Sequence, residues 1–164
     1  VMDMVDPLHS AIRGFRNTFE ENAISMEEVR FKTAEEFRAR LRIGLRAWRF
    51  VTYALPRLPI LRSPLYSFQL ISHKMLRWLI GPSLPIVLLL NILLFEHRTI
   101  YPLLLAAQAL YYGVTLLGVV ASNLGSRVPG VSTLVFFNST NLAYLISLVR
   151  FARGDRASRW VPSR

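Results

Sequence analysis

The chain has 164 residues, 52% of them hydrophobic, no Cys, and a formal charge of +10. Without Cys there is neither a disulfide framework nor a thiolate metal site. The basic residues precede or follow long apolar runs, which points to anionic lipid or a phosphorylated substrate and away from nucleic acid. Residues 1–78 carry 13 Lys/Arg and eight Asp/Glu, whereas residues 79–164 carry seven Arg and two acids, mostly in short loops and the tail.

In chain order, residues 3–13 predict a short helix stopped by Gly14, which can take the left-handed conformation. Residues 15–19, FRNTF, are β-prone and predict a strand, and residues 21–29 an acidic loop. A helix starts at Thr33, with Thr33 and Glu36 spaced as a capping box. Along it Phe37, Leu41, Leu45 and Trp48 form one stripe, and Arg38, Arg42, Arg46 and Arg49 a second beside it. The arginine row suits a solvated or lipid-headgroup face, and equally a row of guanidinium forks for phosphate oxygens. Residues 51–64 hold three prolines and predict a linker. Ser63 and Pro64 then open the next helix as N-cap and first helical residue.

Residues 68–95 organise the rest. They predict an amphipathic helix over 68–78, a Gly-Pro break, and a nearly all-apolar run. On an ideal helix Tyr66, Gln69, His73 and Arg77 share one side with Lys74 beside them, and Phe68, Ile71, Met75, Trp78 and Leu79 line the other. Such a helix lies along the water–lipid boundary. The first span runs from Trp78 to about Phe95, with Gly81, Pro82 and Pro85 expected to kink or restart it. The second spans Ile100 to Ser122, interrupted only by Gln108 and Thr115. The third, Val131 to Val149, carries Asn138, Ser139, Thr140 and Asn141 at mid-depth, suited to contacts between helices. Orientation is in conflict. The basic segment before Trp78 belongs on the cytoplasmic side, and three crossings would put the tail outside. Yet that tail holds Arg150, Arg153, Arg156, Arg159 and Arg164 against Asp155 alone. His9, His73 and His97 lack metal-ligand spacing.

Four stretches, in this order, resemble the C-terminal portion of a membrane-bound family-2 glycosyltransferase, the group that includes cellulose-synthase-like and hyaluronan-synthase-like enzymes. They are MDMVDPLHSAIRGFR, FEENAISMEEV, TAEEFRARLRIGLRAW, and FQLISHKMLRWL with the apolar spans and basic tail after it. The resemblance implies a mainly α, membrane fold. Residues 1–32 would be an α+β remnant of a GT-A catalytic domain, and residues 33–78 basic interfacial helices. Residues 79–150 would be about three transmembrane helices, and residues 151–164 a basic tail. It implies transfer of a sugar from a nucleotide donor to a lipid-linked or polysaccharide acceptor, at the cytoplasmic face of a bacterial inner membrane. Asp3 would be the general base that deprotonates the acceptor hydroxyl. The family's QxxRW-type motif is placed on residues 39–43, where Arg42 is kept, Gln is Ala39 and Trp is Ile43. Arg42, helped by Arg38 or Arg46, would then neutralise the leaving diphosphate. A divalent metal, Mg or Mn, and the nucleotide-binding domain would belong to sequence before Val1. On the residues alone, the other reading is a non-catalytic membrane scaffold or transport subunit.

Overall fold

The computed structural model describes residues 2–18, 20–26, 33–126 and 129–155. Helix α1 is Met2–Ile12 and α2 is Thr33–Ala54, followed by a 3-10 turn at Leu55–Arg57. Helix α3, Pro64–Gln69, leads through a π-helical segment at Leu70–Met75 into α4, Leu76–Leu93. Helices α5, Ile100–Asn123, and α6, Val131–Ala152, complete the fold. Three helical stretches, Pro64–Leu93, Ile100–Asn123 and Val131–Ala152, are long and apolar enough to cross a membrane.

Helix α1 ends as its sequence demands. Gly14 sits at φ 85°, the Phe15 N–H bonds the Ser10 carbonyl at 2.9 Å, and the Gly14 N–H bonds the Ala11 carbonyl at 3.1 Å. This is the paired closure that a left-handed glycine permits. The strand expected over residues 15–19 is not formed. Residues 15–18 are coil, and among the described residues there is no strand for them to pair with, so β-propensity alone has no effect. The α+β character expected for residues 1–32 is therefore absent from the described part of that segment, which is helix and coil. The capping box expected at Thr33 and Glu36 falls on a side chain outside the described residues, that of Thr33. Glu36 accepts from Arg40 Nε at 2.7 Å, an i,i+4 ion pair. Helix α2 continues to Ala54, past the expected linker start at residue 51, because the first proline, Pro56, comes later.

The largest departure lies between Pro64 and Leu93. No break occurs at Gly81-Pro82, and α4 continues through Pro82 and Pro85. A proline removes one backbone donor, and a helix stabilised along its flanks tolerates that loss. Gly81 serves a different purpose. A Cβ there would collide with the Asn141 carbonyl oxygen and lie 3.2 Å from Tyr144 Cβ, so its absence lets α4 and α6 touch backbone to side chain. The π-helical segment changes the buried face. Buried positions are Ser67, Leu70, Met75 and Trp78, with a step of five between Leu70 and Met75. One extra residue in the turn rotates everything before it by about a quarter-turn. Phe68, placed on the apolar stripe by an ideal 3.6-residue period, is 65% exposed as a result.

One hydrophobic core joins the water-side and apolar elements. Leu8 of α1, Trp48, Phe50 and Ala54 of α2, Leu70, Met75 and Trp78, and Tyr144 of α6 form a single cluster. The Phe37–Trp48 stripe points the expected way, with Leu45 and Trp48 buried and Phe37 and Leu41 half-buried. Its partner is α6. Trp48 Nε1–H donates to Ser147 Oγ at 3.0 Å, and Gly44 lies where any Cβ would overlap Ser147. The polar residues of the apolar helices act between helices. Asn138 Nδ2 donates to the Tyr111 hydroxyl at 2.7 Å, and Asn91 Nδ2 donates to Gln108 Oε1 at 2.9 Å.

Candidate functional site

A cavity of about 400 Å³ lies between the first turns of α1 and the polar side of the π-helical segment. Met4 and Pro7 line it from α1, and Tyr66, Gln69, Leu70, His73 and Lys74 line it from the other side. Two contacts fix α1 in this position. His9 Nε2 and the Tyr53 hydroxyl are 2.7 Å apart, and Arg62 Nη1 donates to the Ile12 carbonyl at 3.0 Å. Leu8, fully buried, supplies the apolar part of the anchor.

Ser72 adjoins the cavity-lining His73. Ser72 Oγ–H donates to the Phe68 carbonyl at 2.7 Å, and Ser72 Oγ is also 2.8 Å from His73 Nδ1. With its one proton on the carbonyl, Ser72 accepts from His73 Nδ1–H. Lys74 adds a cation at the same rim. The residues expected as a side from an ideal helix, Tyr66, Gln69 and His73, do share this cavity.

The expected site residues fall in two places. Asp3 is in the first turn of α1, next in sequence to the cavity-lining Met4, and its side chain lies outside the described residues. Arg38, Arg42 and Arg46 are on α2, and none of them lines the cavity with Met4. Arg38 instead borders a second, open cavity of about 990 Å³ lined by α2, α4, α5 and α6. Its walls are largely apolar, with Thr115, Ser122, Asn123, Asn138 and Asn141 as polar points. Arg42 and Arg46 are half-buried along α2.

One pattern escaped the reading of the sequence. An Arg-Trp pair three residues after a cation occurs at Lys74-Met75-Leu76-Arg77-Trp78. The Arg-Trp dipeptide itself was the signal. Here Lys74 lines the smaller cavity, and Trp78 is 1% exposed, packed in the core with Tyr144. Among the described residues no group of three or more His, Asp or Glu is placed to hold a metal ion. Comparison with protein-family models, curated proteins and solved structures finds no match to this chain.

Proposed function

We propose that these residues form the C-terminal membrane part of a family-2 glycosyltransferase that transfers a sugar from a nucleotide donor to a lipid-linked or polysaccharide acceptor. One observation carries the reading. Two of the four stretches that carry the resemblance, MDMVDPLHSAIRGFR and FQLISHKMLRWL, are some 60 residues apart in sequence and share one cavity. A scaffold has no need to bring the first turns of α1 against a His-Lys pair at the edge of the apolar helices.

In this reading the acceptor hydroxyl attacks the anomeric carbon while the Asp3 carboxylate takes its proton. The bond from that carbon to the diphosphate breaks, and the electron pair leaves with the diphosphate. Lys74, which lines the cavity, with Arg77 one turn along, would neutralise it. Arg38, Arg42 and Arg46 are the alternative placement of that role on α2. The donor-binding domain and the divalent metal belong to sequence before Val1, and no step here passes through a metal.

The test is transfer of labelled sugar in membranes holding the whole enzyme. Asp3→Asn at normal expression should lower transfer by about 10²- to 10⁴-fold. Lys74→Met should lower it while Arg42→Met does not, if the diphosphate lies at the smaller cavity. Undiminished transfer by Asp3→Asn would remove the base assignment. A protein with no transfer activity and no α/β domain encoded upstream would be the membrane scaffold or transport subunit instead.

A further inference from the structure

The third apolar helix has the length of a membrane span, yet its neighbours place both its ends at one end of the α4–α5 hairpin. Helices α4 and α5 are joined by the turn at residues 94–99, and Asn91 bonds Gln108 close to that turn. The start of α4 and the end of α5 therefore lie together at the opposite end. Helix α6 begins there. Val131 and Val135 pack on Gly118, five residues before the end of α5. It then crosses α4 at Gly81, five residues after that helix starts, through Asn141 and Tyr144. Its last turns return to the water-side core, where Leu148 and Phe151 pack against the cluster holding Leu8, Trp48 and Trp78. A third crossing would carry those turns toward Asn91 and Gln108.

Helix α2 gives an independent reason. It runs beside α6 and in the same direction. The Arg40 guanidinium lies 5.5 Å over the Phe136 ring, Gly44 and Trp48 meet Ser147, and Arg49 Nη2 donates to the Asp155 carbonyl at 3.1 Å. If α6 crossed the bilayer, α2 would be carried to the same depth. Arg38, Arg40, Arg42, Arg46 and Arg49 would then lie within hydrocarbon, where guanidinium is costly. At the interface the same charges meet lipid phosphates, and the apolar outer side of α6 meets acyl chains.

We infer that α6 does not cross the membrane but lies with α2 in the headgroup layer as a lipid-binding platform, so that the described chain crosses only twice. Residues on either side of α6 then share one face of the membrane. The basic tail stands on the same side as α2, as the distribution of Arg requires. This inference is independent of the glycosyltransferase reading.

Residues 1–164 hold no Cys, so single cysteines introduced here are read against the same protein without them. His97→Cys, Ser126→Cys and Asp155→Cys, all at exposed positions, would be placed in the full chain in its own membranes and treated with an impermeant maleimide before and after permeabilisation. The expected result is that positions 126 and 155 label alike and position 97 labels oppositely. Opposite labelling of 126 and 155, or identical labelling of all three, overturns the inference. Leu124→Cys and Arg153→Cys give the same reading if either first variant fails to insert. Nitroxides at Phe136→Cys, Leu142→Cys and Val149→Cys supply a second measurement. A headgroup-layer helix gives three similar depths, and a maximum in oxygen access at position 142 with low values at both ends overturns the proposal.

Discussion

Replacing Gly44 by Ala tests the contact on which the α2–α6 pair depends. A Cβ at Gly44 would lie 2.8 Å from Ser147 Cβ and 3.1 Å from Tyr144 Cδ1, closer still to Ser147 Oγ; Ser147 is short and fixed near its backbone, and the Tyr144 ring is buried in the core. The helices must separate. Overpacking of this kind costs about 1–3 kcal/mol. Separation also stretches the bond from Trp48 Nε1 to Ser147 Oγ, now 3.0 Å, worth about 1 kcal/mol. Against this, Gly→Ala within a helix gains about 1 kcal/mol. The net expectation is destabilisation by about 1–3 kcal/mol. Gly113→Ala, where nothing lies within 4 Å, gains the helix propensity with no clash and serves as the control. Unfolding midpoints in mild detergent, followed by circular dichroism, should place Gly44→Ala below wild type and Gly113→Ala at or above it. Adding Ser147→Gly to Gly44→Ala should recover part of the loss. A Gly44→Ala protein as stable as the Gly113→Ala control would refute the packing argument.

Three other perturbations bear on different parts of the fold. Asn138→Leu removes the amide that reaches Tyr111 and Thr115, and should lower detergent stability by about 1 kcal/mol, since hydrogen bonds between membrane helices average about 0.6 kcal/mol each. A double-mutant cycle on Asn91→Ala and Gln108→Ala should give a coupling of about 0.6 kcal/mol and not above about 1.7; zero coupling would mean the two amides do not meet. Leu8→Ala, at a fully buried position, should cost about 2–5 kcal/mol and loosen α1, measured as faster proteolysis after Arg13 or Arg16.

The apolar helices were legible because length and composition decide them. The observed bounds, Ile100–Asn123 and Val131–Ala152, differ from the expected ones by no more than three residues. The stop at Gly14 was legible for the same local reason. What failed were particular inferences in which a regular period or local propensity stood in for a partner. FRNTF has the residues of a strand but no neighbouring strand. The faces of the 64–93 helix were drawn for 3.6 residues per turn, and the π-helical segment makes the buried step five instead. Gly81 looked like a break because glycine and proline are adjacent, and only the position of Asn141 shows that the missing Cβ serves helix contact.

The same distinction explains the arginine row of α2. A stripe at helical spacing states which side of a helix is cationic, and says nothing of which other helix lies against the opposite side. That helix is α6, and its identity changes the chemistry available to the row. Along α6, Arg40 is engaged by Glu36 and Phe136, and Arg49 by the Asp155 carbonyl. These arginines are therefore partly occupied in fixing the helix pair. Lys74, in contrast, lines a cavity that also receives the first turn of α1. A count of cations along the sequence points to α2, whereas the cavity shared with α1 is lined by Lys74 of the π-helical segment. An anion-binding site is defined by what converges on one volume, and convergence between residues 4 and 74 is set by the burial of Leu8 and the turn at Leu70–Met75, neither of which a charge pattern encodes.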